Sequence, residues 1–228
     1  GYANSPRSHF RSMDIWHTAE PDKVGTEGWL GRVIRDIDPS SENPVTAVNI
    51  GQGLPRALVA PSVSVASVAD LSTYGLLTSV EQKSQREKML ARFSNMYGAA
   101  LGSGPVMEYL GQTGIDAMHG ADILKVAPQV YQSNVEYSSS SVSNSLKDIA
   151  TIHKANLGTR VFYTQYGSFD THAAQAPAHA QLWQDVSNGI QDFWDDLKET
   201  GHDENVVMFL FSEFGRRVRD NGSGTDHG

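Results

Sequence analysis

The last third of the chain leaves few folds open. "TRVFYTQYG", residues 159–167, is a run of β-branched and aromatic residues bounded by Gly158 and Gly167, which predicts a strand. A long helix is expected after it, because Leu182, Trp183, Val186, Ile190, Phe193, Trp194 and Leu197 recur at the three-four spacing of one buried face. "NVVMFLFSEF", residues 205–214, is nearly continuous in apolar residues, the pattern of a strand covered on both sides in a parallel sheet. Strand, helix and strand make a right-handed crossover unit, and ligands of such sheets gather beyond the carboxyl ends of the strands. Two polar constellations, one after Tyr166 and one after Phe211, fall at that edge.

Earlier segments fit the same α/β class. "RSHFRSMDIWHTAEPD" predicts a short helix with Ser8 as N-cap, apolar Phe10, Met13, Ile15 and Trp16, and a stop at Pro21. "TEGWLGRVIRDI" predicts a second, capped by Thr26. "PVTAVNIG" and "RALVA" read as strands. Helices are expected from Val80 to about Tyr97, from Pro105 to Val126, and over "NSLKDIATIHKANLG" with Gly158 as its stop. The Ser-rich "YQSNVEYSSSSVSNS" reads as an exposed loop or lid.

Composition narrows the function. A formal charge of −8 over 228 residues argues against a general nucleic-acid binder. No cysteine is present, which removes disulfides, thiolate metal ligands and a cysteine nucleophile. No apolar run approaches the roughly 18–20 residues that span a bilayer. The chain starts at Gly1 and stops on Asp226-His227-Gly228, so flanking segments are expected beyond both ends.

Four places carry candidate chemistry. Asp170 and His172 in "SFDTHAAQ" offer a carboxylate and an imidazole, a donor pair suited to a divalent ion; the alternative is that Asp170 caps the following helix. Glu213 ends an apolar strand, where a carboxylate needs a cation or an ion pair, and Arg216 is near enough in sequence to supply the latter. Arg216 and Arg217 also suit an anionic substrate, because guanidinium matches phosphate or sulfate oxygens. Asp226 and His227 follow the "NGSG" bend, either as a ligand pair or as a solvated turn. Ser8 at a helix N-terminus is placed for nucleophilic attack beside the helix dipole, or for simple capping. His9, His17, His119, His153, His179 and His202 lack comparable context and read as core or surface residues.

Taken in order, "RSHFRSMDIW", "GWLGR", "SFDTHAAQ", the long helix and "FSEFGRRVRDNGSGTDHG" resemble the secreted bacterial proteins grouped as the domain of unknown function 1501 family, over essentially the whole chain. The resemblance implies membership of the alkaline-phosphatase and sulfatase-like superfamily. It therefore implies one α/β domain over 1–228, incomplete at both ends, with a doubly wound, mostly parallel sheet flanked by helices. It also implies export to the periplasm or beyond, and hydrolysis of phosphate or sulfate esters at one or two divalent metals (Zn, Mn or Ca). On that pattern Ser8 is the nucleophile and Arg216 neutralises the transferred group. Asp170, His172, Glu213, Asp226 and His227 hold metal. Partners would be a small anionic ester or an anionic polysaccharide, with no nucleic acid and no membrane span. Glu213 occupies the place of an aspartate and Phe214 that of a ligand histidine, and Asp170 and His172 stand closer together than the pattern usually has them. Phe214 and that short spacing favour a second expectation, a non-catalytic exported binding or surface-assembly protein with an eroded metal site.

Overall fold

The computed structural model describes residues 8–74, 80, 82–99 and 101–227. The first part of "NSPRSHF" and the final Gly228 lie outside them. Three short strands, β1 (Ala47–Ile50), β2 (Ala66–Val68) and β3 (Val161–Thr164), form a parallel sheet in the order β2-β1-β3. Alternate side chains of a strand point to opposite faces, and here both faces are covered. Val48 and Ile50 meet a large apolar core with Leu124, Leu146, Ile149, Ile152, Phe193 and Leu197. Ala47 and Tyr163 meet a smaller one with Ile34, Ala57 and Leu58. The expected α/β class is therefore present as a small parallel sheet flanked by helices.

Helix α1 (His9–Thr18) starts where predicted, after Ser8, but ends before Pro21 because Ala19 turns left-handed (φ 57°) and closes the last turn onto the Ile15 carbonyl. Phe10 points to solvent. Helix α2 (Trp29–Ile37) is entered through Gly28 rather than capped by Thr26. A Cβ at Gly28 would lie 2.1 Å from the Ala57 carbonyl oxygen, so only glycine fits there. "RALVA" is not a strand. Arg56–Leu58 forms a 3-10 turn, with Arg56 tied to Asp14 (2.5 Å) and to the Gly25 carbonyl. The second strand comes instead from Ala66–Val68, in the alternating "SVSVASV".

Helices α3 (Lys83–Gly98) and α4 (Pro105–Leu124) form a hairpin, followed by the short α5 (Ala127–Val130). Helix α6 (Ser141–Lys154) packs along α7 (Gln175–Lys198), the predicted long helix. At their closest approach a Cβ on Gly189 would fall 2.8 Å from Ser143 Oγ. The "NVVMFLFSEF" expectation requires correction: residues 206–211 enter no strand ladder among the described residues. Val206 and Met208 pack on the main core, Phe211 packs near Tyr163, and Val207 between them is 96 % exposed. Phe209 (66 %) and Leu210 (52 %) are exposed as well, so the segment is covered only in part, whereas its apolar run had implied cover on both sides throughout. The remaining strands, β4 (Arg216–Asp220) and β5 (Thr225–His227), form an antiparallel hairpin.

The Ser-rich stretch is a strap as well as a loop. Tyr131 and Tyr137 donate to Asp196 Oδ2 on α7 (2.8 and 2.9 Å), and the Ser138 amide donates to Asp192 Oδ2 (2.9 Å). Ser140 caps α6 by accepting from the Ser143 amide. Lys154 Nζ reaches Asp196 Oδ1 at 2.6 Å, with the two side chains 7 % and 0 % exposed. Burial alone would push the Asp196 carboxyl up. The donors Lys154, Ser133, Tyr131 and Tyr137 outweigh it and hold the group below the usual carboxylate range. A carboxyl depressed in the folded state stabilises at pH values above its unfolded pKa, about 3.9, and that stabilisation is lost as pH falls through the folded value. Asp196→Asn should therefore cost about 3–5 kcal/mol at pH 7 in urea unfolding. The gap to wild type should close below about pH 4.

Candidate metal centre

Three stretches far apart in sequence meet beyond the carboxyl end of β3: the start of α1, the loop between β3 and α7, and the β4–β5 hairpin. The first turn of α1 presents His9. The loop after β3 presents Asp170 and His172. The hairpin turns through Asn221–Gly224 and returns Asp226 and His227 opposite Arg216. Gly222 (φ 95°) supplies the left-handed backbone that this bend requires.

At the centre, His9 Nε2 lies 2.9 Å from His227 Nε2 and 3.4 Å from Asp170 Oδ2, while His227 Nε2 lies 3.7 Å from Asp170 Oδ1. One ligand atom from each of these three groups lies within 4.8 Å of the other two. Two imidazoles and a carboxylate are a donor set for a borderline divalent ion, with at least one coordination position left open. Ligand atoms bound about 2.0–2.2 Å from one ion stand roughly 3–3.5 Å apart, the size of the separations seen here. The residues present fit a metal.

Around this core, His9 Nδ1 is 2.9 Å from Glu213 Oε1. His172 Nε2 is 3.0 Å from Asp170 Oδ1 and its Nδ1 is 3.0 Å from Asp226 Oδ1. Asn221 Nδ2 donates to that same Asp226 oxygen (2.9 Å) and to the His172 carbonyl (3.1 Å). The hydrogen bonds from His172 and Asn221 hold the Asp226 carboxyl below its ordinary range. Phe214 forms an apolar wall, edge-on to His9 at 5.1 Å and to His227 at 5.7 Å.

All five expected metal residues thus lie in one cluster, at different depths. Asp170 and His227 are in the converging set; Glu213, His172 and Asp226 lie around it. His9, read from sequence as an ordinary histidine, is in the set. Its signal was its place directly after Ser8 at a helix start. Asp170 does not cap α7, which begins at Gln175 with Ala174 in the left-handed region (φ 48°). Glu213 pairs with His9, while Arg216 donates elsewhere. Ser8 occupies the N-cap position, is exposed, and makes no side-chain capping bond. It precedes His9 directly and so stands beside the cluster. His17 lies apart, buried near Tyr163 (3.3 Å to its hydroxyl), where burial and Arg56 favour the neutral ring.

Arg216 differs most from expectation. Its guanidinium donates to the carbonyls of Thr171 (2.7 Å), Thr225 (2.6 Å) and Phe169, and to Thr171 Oγ1 (3.1 Å). Four of its five N–H groups are committed to the backbone and side chain of the two segments that carry Asp170 and His227. Arg217 is exposed on β4. Substituting Arg216 by Met should loosen the loop against the hairpin, leaving the bonds from Asn221 and His172 among its ties. Hydrogen exchange at Thr171, Ala174, Gln175 and Thr225 should accelerate by roughly 30–100-fold, the loss of about 2–3 kcal/mol of charge-assisted hydrogen bonding.

A family model described as protein of unknown function DUF1501 matches residues 8–228. Comparison with curated proteins and with solved structures returns no match. The matched span runs from Ser8 through every residue of the cluster, and the chain belongs to the DUF1501 family.

Proposed function

We propose that this chain is the core of an exported, metal-dependent hydrolase of phosphate or sulfate esters. The observation that carries the reading is the convergence of His9 Nε2, His227 Nε2 and a carboxylate oxygen of Asp170 beside an exposed serine at the N-terminus of a helix. Two imidazole donors favour Zn²⁺ or Mn²⁺ over Ca²⁺, which prefers six to eight oxygens. When bound, the ion supplies positive charge that favours an ionised serine and a departing oxygen. His9, Asp170 and His227 would hold it.

Ser8 Oγ would attack phosphorus or sulfur in line. The new Oγ–P or Oγ–S bond forms, the ester bond breaks, and the alcohol leaves with a proton. Water then cleaves the seryl ester, releasing phosphate or sulfate and restoring the hydroxyl. Amides at the start of α1 would then stabilise charge on the equatorial oxygens of the transferred group. Arg216 takes a positioning role here, since its donors hold the two ligand-bearing segments together. Small anionic esters, or sulfate or phosphate groups on an anionic polysaccharide, are the substrate class. Export and the superfamily-type chemistry rest on the family resemblance.

A second reading, a non-catalytic exported binding or assembly protein, is favoured by Phe214 against His9 and His227 and by the committed Arg216. Turnover separates the two. The hydrolase reading expects about one Zn or Mn per chain by elemental analysis and release of p-nitrophenol from its phosphate or sulfate ester. Chelation should abolish the activity, and Ser8→Ala should lower it at least about 1,000-fold. A metal-loaded chain that turns over neither ester moves the assignment to the binding reading; turnover unchanged in Ser8→Ala removes the serine mechanism.

A further inference from the structure

Resting on the metal reading above, we propose that Glu213 and Asp226 are positioning carboxylates that act through imidazoles without binding the metal, Glu213 by aiming His9 at it and Asp226 by holding His172 against the ligand Asp170. A carboxylate only accepts hydrogen bonds, so the 2.9 Å contact between Glu213 Oε1 and His9 Nδ1 places the ring proton on Nδ1. A neutral imidazole carries one N–H, which leaves the Nε2 lone pair pointing at His227 and Asp170. The ring of His9 stands between Glu213 and the converging ligand atoms, and Glu213 is not among the groups that share the centre. Its carboxylate therefore acts through His9, fixing both tautomer and ring orientation.

Asp226 repeats the device one layer out. It accepts from His172 Nδ1 and is itself held by Asn221, which also grips the His172 carbonyl. The three residues close a ring of hydrogen bonds. This leaves His172 Nε2 against Asp170 Oδ1, the oxygen opposite to the one nearest His9. The His172 ring, its orientation set by Asp226 and Asn221, thus packs against Asp170 on the side away from His9 and limits how far that carboxylate can turn. Of the three acidic residues that the resemblance implies as metal ligands, Glu213 and Asp226 each sit behind a histidine instead.

The test is competition of Zn²⁺ alone against a chromophoric chelator, on the full chain and its variants, with melting temperature and circular dichroism of the metal-free forms alongside. His9→Ala, Asp170→Ala and His227→Ala should lose the site. Glu213→Gln, whose amide oxygen still accepts from Nδ1, should keep one Zn²⁺ per chain with affinity lowered about tenfold, and Glu213→Ala about 100-fold. Asp226→Asn should keep the stoichiometry with a loss in the same 10–100-fold range. The metal-free melting temperatures of Glu213→Gln and Asp226→Asn should match wild type, which separates positioning from folding. Loss of Zn²⁺ in Glu213→Gln as complete as in His9→Ala would make Glu213 a ligand and overturn the proposal. Wild-type affinity in both Glu213→Ala and Asp226→Asn would overturn it from the other side. A wild-type chain that binds no Zn²⁺ overturns the metal reading itself, a result distinct from either.

Discussion

The guanidinium of Arg216 is the interaction on which the arrangement depends. Asp170 and His227 come from different parts of the chain, one on a loop after a parallel strand and the other on a separate hairpin. Nothing in the sheet brings them together. Arg216 does, by donating to carbonyls on both sides, at Phe169 and Thr171 on the loop and at Thr225 on the hairpin. Phe214 lies 5.1 Å from the same guanidinium, so the clamp is covered by an aromatic face that also borders His9. A cation on a flexible stem with one point charge could not span these acceptors; the planar fork can.

The clamp also gives the cluster its electrostatic character. Three carboxylates, Asp170, Glu213 and Asp226, are interleaved with three imidazoles, His9, His172 and His227. Each peripheral acid leans on a ring nitrogen, while the lone pairs of the inner groups face one another. A shared cation would let both ring nitrogens and the Asp170 carboxylate act as lone-pair donors at once. Phe214, an expected deviation on the resemblance, borders His9 and His227 with a ring that offers no donor atom to an ion.

Much of this was legible in the sequence because local pattern and tertiary role coincide there. The three-four spacing of α7 and the β-branched run of β3 gave their elements directly, and the Asp-Thr-His and Asp-His pairs marked the cluster. Other features were not legible, for identifiable reasons. His9 carries no local pattern of its own; only the fold returns it to Asp170 and His227. The roles of Glu213 and Asp226 depend on which histidine stands in front of each carboxylate, and sequence spacing carries no such order. Arg216 was misjudged because guanidinium chemistry suits backbone carbonyls as well as anions. Residues 206–211 were apolar enough for a central strand, yet how much of such a run is covered is a property of its neighbours. β2 was passed over because three residues of "SVSVASV" give too short an alternation to stand out beside Gly- and Pro-bounded runs.

The central claim is that one cation site is built by His9, Asp170 and His227. It is tested most directly by crystals of the Zn²⁺-loaded chain measured on both sides of the zinc absorption edge. The account predicts a single anomalous peak between His9 Nε2, His227 Nε2 and Asp170, about 2.0–2.2 Å from each, with Glu213 and Asp226 outside bonding distance. A peak bound by Glu213 or Asp226, or no peak within this cluster, would contradict it.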